Sequence, residues 1–145
     1  MKASVILLLS LAAIACVAGG CKDRIKEIST PEALLKRQHE IWAAARQSLR
    51  TDRPNLNLLR SLHKFLCYRT PRRVDKAYTG ADKAEVLARL RTLGNAYIEG
   101  VYSKLDLTGG QVRLKRPVTV EQLRAAFDKL DPDYRAFQSM VDGKP

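Results

Sequence analysis

The chain has 145 residues, with 26 lysines and arginines against 15 acids, a net charge of +11. That length supports one modest hydrophobic core and leaves no room for a second domain of similar size. Beyond residue 20 no run is apolar enough to cross a bilayer.

The first element is MKASVILLLSLAAIACVAGG, with one lysine, a continuous apolar centre and a small-residue exit. Those three parts in that order make a secretory signal, so residues 1–20 are expected to be a cleaved signal peptide and the protein to be exported. Cleavage leaves 25 basic against 15 acidic side chains, about +10. Residues 21–30, which open on Cys21 and KDRIKE, form a charged linker ahead of a helical domain over residues 31–145.

In that domain Thr30 can cap a helix that starts with Pro31 and Glu32. Its apolar face is Leu34, Leu35, Ile41, Trp42, Ala45 and Leu49, and Thr51 to Pro54 break it. A second helix runs from Asn55 to Arg69 with Leu58, Leu59, Leu62, Phe65 and Leu66 on one side. Pro71 is expected to end it, leaving RTPRRVDK as a basic loop. A third and longest helix opens near Thr79 and closes before Thr108-Gly109-Gly110. Its stripe is Val86, Leu90, Leu93, Tyr97, Val101 and Leu105, and Gly94 within it predicts close approach of a neighbouring helix.

QVRLKRPVTV is extended or looped. Thr119 with Gln122 then forms a capping box for a short helix carrying Leu123, Phe127 and Leu130. Asp131-Pro132 starts one more helix, with Tyr134, Phe137 and Val141 inward and the acids serving as caps. The economical fold is all-α, an antiparallel bundle of four to five helices.

Ala18-Gly19-Gly20-Cys21 resembles the lipobox of bacterial lipoproteins, with Ala18 where leucine is commonest. The resemblance covers the leader alone. It implies a diacylglycerol on the Cys21 sulfur and acylation of the new amino terminus. Lys22 after the cysteine implies the periplasmic face of an outer membrane. Cys16 is the poorer candidate, because a shortened apolar core precedes it. The competing fate for Cys21 is a disulfide with Cys67, which a lipidated sulfur cannot form. Helical spacing puts Cys67 near Arg60, His63 and Lys64, where cations are expected to lower its pKa.

Seven cations, Arg53, Arg60, Lys64, Arg69, Arg72, Arg73 and Lys76, stand against the single acid Asp75, and Arg113, Lys115 and Arg116 add a second cluster. These ten are the candidate residues for binding an anionic surface. In an exported protein the fitting partners are anionic lipid, lipopolysaccharide phosphates or an acidic envelope protein, and nucleic acid is not expected. His39 and His63 flank the apolar stripes and are expected at the surface, so no metal or other cofactor is expected. No glycine loop, activated nucleophile or paired acid marks a catalytic site. The expected function is a lipid-anchored cationic scaffold of the cell envelope. The alternative is a secreted, disulfide-linked basic protein acting on membranes or extracellular polyanions.

Overall fold

The computed structural model describes residues 30–143. The signal peptide, Cys21 and nearly all of the linker lie outside the described residues. The chain is predominantly helical, with one very small sheet. Its elements are α1 (Pro31–Ser48), α2 (Leu56–Lys64), a π-helical segment (Phe65–Arg69), α3 (Thr70–Ala77), α4 (Lys83–Gly100), β1 (Leu105–Asp106), β2 (Arg113–Leu114) and α5 (Val120–Asp142). Among the described residues no helix is long and apolar enough to cross a membrane.

α1 starts where its cap predicts: the Thr30 hydroxyl accepts the Ala33 N–H at 3.1 Å, with Pro31 in the first turn. All six residues of its expected apolar face are buried. They pack against α2, α3 and the π segment, with α5 across the indole of Trp42. Trp42 stacks on Tyr134 at 3.8 Å between ring centroids and meets Phe127 at 4.5 Å. The C-terminal carbonyl of Leu49 accepts the guanidinium of Arg124 on α5, which satisfies an oxygen that α1 itself cannot bond.

Pro71 does not end the second helix, and RTPRRVDK is not a loop. The backbone widens by one residue: the Thr70 N–H bonds Phe65 O, five residues back instead of four. This places Pro71 in the first turn of a restarted α-helix, where a missing N–H costs little. The continuing burial of Phe65, Leu66, Thr70 and Val74 holds the two halves to one core.

α4 begins at Lys83, after a turn in which the Tyr78 hydroxyl donates to Asp82, rather than at Thr79. It ends at Gly100, short of the expected stop. Val101 and Leu105 stay buried because a short 3-10 turn (Tyr102–Lys104) carries the chain into β1. β1 and β2 are antiparallel, with Leu105 opposite Leu114 and Asp106 opposite Arg113. Gly109 and Gly110, at φ of 73° and 77°, make the reversal between them, a backbone region that favours glycine.

At α5 the capping box is present in full, with Thr119 and Gln122 exchanging bonds of 3.0 and 3.2 Å. The two expected helices are one, running through Pro132. Proline forfeits the bond to the Asp128 carbonyl, but Asp128 and Pro132 are both exposed, so water can take that oxygen. Meanwhile Leu123, Phe127, Tyr134 and Phe137 form a single buried stripe across it.

Candidate functional site

The ten candidate cations occupy three places. Arg53 is exposed in the turn between α1 and α2. Arg60 and Lys64 are on α2, and Arg69, Arg72, Arg73 and Lys76 follow on the π segment and α3. Arg60 and Lys76 are sixteen positions apart along helical backbone, roughly 24 Å at helical rise. The basic run is therefore an elongated strip rather than one cluster. Because the expected loop is helical, Val74 and Thr70 face the core while Arg72 and Lys76 stay exposed. Arg69 lies over the Phe65 ring at 5.3 Å, a cation–π contact.

Arg113, Lys115 and Arg116 are on or beside β2. Arg113 sits opposite Asp106 in the ladder and donates to Gln111 at 3.0 Å. Two hydrogen bonds from Thr108 hold the Asp106 carboxyl below its ordinary range, with Arg113 and Lys115 adding to the effect. This cluster is thus partly offset by an acid. It approaches α2 through Tyr102, whose ring stacks on His63 at 3.7 Å, with Tyr68 edge-on to the same imidazole at 5.2 Å. Arg60 acts on the Tyr102 hydroxyl from the same side. Among the described residues, none of Arg53, Arg60, Lys64, Arg69, Arg72, Lys76, Arg113, Lys115 and Arg116 has a carboxylate within ion-pair distance.

Cys67 has no disulfide partner among the described residues, and its pKa is not lowered as its cationic neighbours suggest. It is half-buried between the π segment and α4, with Sγ 3.8 Å from the Gly94 carbonyl. Burial pushes its pKa up to about 11, because a thiolate there would lose its hydration. The expected activation is therefore corrected: desolvation outweighs the nearby charge. Its expected partner, Cys21, lies outside the described residues. Gly94 is approached closely, as its place in the stripe suggests: a Cβ there would stand 3.4 Å from Cys67 Sγ. Around this contact Leu66, Tyr68, Leu90, Arg91 and Ile98 help to line an open groove of about 270 Å³.

A second polar assembly lies inside the protein, where sequence reasoning put none. His39 is buried, not at the surface, and Nδ1 is 2.7 Å from the Tyr134 hydroxyl. Gln38 Nε2 donates to that same oxygen at 3.3 Å. With the hydroxyl proton assigned to Nδ1, the neutral imidazole carries its own on Nε2, 3.8 Å from an Asp142 oxygen. Burial lowers the His39 pKa, and Asp142 opposes this more weakly. Burial also lowers the pKa of His63.

Asp131 is not a cap. It accepts from Trp42 Nε1 at 2.8 Å and pairs with Arg46 at 3.3 Å and Arg135 at 3.0 Å. The bonds to Trp42 and Arg46 pin the C-terminal half of α1 to the middle of α5. The legible signal was position: Gln38 and His39 fall on the same stripe as Leu34, Leu35, Ile41 and Trp42. Gln38 Oε1, His39 Nε2 and Thr70 Oγ1 are buried without hydrogen-bond partners among the described residues. No group of three side chains able to hold a metal converges among the described residues.

Compared with known proteins, the chain matches no family model, no curated protein and no solved structure.

Proposed function

We propose that this chain is an exported scaffold protein, tethered to the cell envelope through lipid on Cys21, whose helices form an antiparallel bundle that works by binding. The strip of cations along α2, the π segment and α3 docks an acidic envelope protein, with Arg113, Lys115 and Arg116 as a secondary site. One observation carries this reading: nine of the ten candidate cations have no carboxylate within ion-pair distance among the described residues. Exposed cations of one sign that are left uncompensated raise the local concentration of anions and speed their capture.

The anchor and the docking face have separate tests. Intact mass of the mature protein reads the first: three acyl chains on Cys21 support the tether, and a loss of two hydrogens marks a Cys21–Cys67 bridge instead. Titration with polyglutamate and with phosphatidylglycerol vesicles reads the second. Binding should weaken steeply with salt, since exposed charges are screened within about 8 Å at physiological ionic strength. Equal affinity at low and high salt removes the electrostatic docking.

A further inference from the structure

Among the described residues three large hydrophobic side chains are exposed, and two of them, Tyr68 at 50% and Ile98 at 36%, line the same groove. The groove exists because of two backbone features. The π segment widens the helix at Leu66 to Tyr68, and Gly94 opposite it carries no side chain, so α4 comes close at its floor while the rims stay apart. Widened helical turns of this kind recur at functional sites.

Cations outnumber acids around the groove. Arg91 lines it and no acid does. Lys64 and Arg72, four positions either side of Tyr68, stand about one turn away along the helix and are exposed. Two acids stand at its margins, Asp75 four positions on from the lining residue Pro71 and Glu99 next to Ile98, against the three cations Lys64, Arg72 and Arg91. An apolar slot with Arg91 in its lining and Lys64 and Arg72 a turn away suits a chain that carries negative charge around one apolar side chain. A flat lipid surface would use the exposed ring and isoleucine as a wedge, and the concavity between them argues against that.

We infer that the groove between the π segment and α4 is a side-chain socket for an acidic peptide segment of a partner protein, with Arg91, Lys64 and Arg72 holding the flanking carboxylates. The inference rests on the proposed docking of an acidic partner and assigns it a place and an anchor. The socket takes an aliphatic or aromatic residue between Tyr68 and Ile98, and the thiol of Cys67 and Leu90 close its floor. Such anchors dominate recognition when they fill a pocket from which water is excluded.

The test uses the mature protein and two labelled decapeptides, one with nine glutamates and a central leucine, the other with serine at that position. The leucine peptide should bind at least fivefold more tightly. That gain should vanish in Ile98→Ser, an exposed change that leaves the core intact, and in Gly94→Leu, which fills the slot. If Gly94→Leu fails to fold, Ile98→Ser alone decides. Equal binding of both peptides, with strong salt dependence, overturns the socket and leaves the electrostatic docking standing. No binding of either peptide overturns both. If Ile98→Ser leaves the peptides unaffected but weakens binding to phosphatidylglycerol vesicles, the groove rim is a membrane wedge and the socket is overturned.

Discussion

Removing one oxygen from Tyr134 tests the internal reading of the fold. The ring is fully buried, and its hydroxyl is the hydrogen-bond partner of both His39 Nδ1 and the Gln38 amide nitrogen. Tyr134→Phe keeps the stack on Trp42 but strands both polar atoms, next to Gln38 Oε1 and His39 Nε2, which already lack hydrogen-bond partners among the described residues. Each buried polar atom left unsatisfied costs about 1–3 kcal/mol, and the hydroxyl's own desolvation is recovered in part. The expected net loss is about 2–4 kcal/mol, a large share of the roughly 5–15 kcal/mol that holds a domain together. Urea unfolding followed by circular dichroism measures it, with an unchanged slope showing that the native and unfolded states are otherwise alike. Adding Gln38→Leu to Tyr134→Phe should restore part of the loss, because it removes the stranded amide. A loss below about 0.5 kcal/mol for Tyr134→Phe, the level of an ordinary surface substitution, would refute the reasoning.

Four further outcomes follow from the same geometry. His39 and His63 both titrate below the ordinary 6.5 because of burial, so the unfolded chain binds protons first. Stability should be complete above about pH 6.5 and fall as the pH drops through the lowered native values; unchanged unfolding midpoints between pH 7 and pH 5 contradict this. Cys67, raised from 9.0 to about 11, should carry a thiolate fraction about a hundredfold smaller than an unperturbed thiol and react correspondingly slowly with iodoacetamide at pH 8. Rapid alkylation of folded protein would show that the cations dominate after all. Gly94→Ala should raise stability by up to about 1 kcal/mol, since its methyl meets Cys67 Sγ at an ordinary 3.4 Å while helix propensity improves; a lower melting temperature means the approach is tighter than that distance. Thr119→Ala should cost about 1 kcal/mol by opening the capping box at α5, with no effect in thermal melts counting against that cap.

Local chemistry was the most legible part of the sequence. Thr30 with Pro31, and Thr119 with Gln122, announce helix starts because the bonds they make lie within four residues. The two prolines misled for one reason. The cost of a proline depends on where its missing bond would lie, and neither the register shift before Pro71 nor the exposure of Pro132 is visible in the residue itself. Periodicity held the better clue at the second site, since Leu123, Phe127, Leu130, Tyr134, Phe137 and Val141 continue at three- and four-residue steps through it. The same rule would have placed Gln38 and His39 inside.

At the candidate site the cations were found where the chain is polar, but their arrangement was not. The π segment adds a residue to one turn and rotates everything after it, so a wheel drawn at uniform helical spacing cannot place Cys67 correctly. The groove depends on α4 crossing that same turn at Gly94, a long-range contact that no local pattern encodes. The pairing of Asp131 with Trp42, Arg46 and Arg135 likewise joins residues 85 or more positions apart in two of its three contacts.

The proposed docking face is tested most directly by neutralising it. Polyglutamate affinity at low salt should be compared between the parent, a variant with Lys64 and Arg72 each changed to serine, and a control of equal charge loss with Arg37 and Arg89 changed to serine. The control cations are already paired, with Glu40 and Glu85. The account predicts a loss of at least tenfold in the first variant and less than twofold in the control. Equal losses would show that net charge alone draws the anion and that the strip has no special part in holding it.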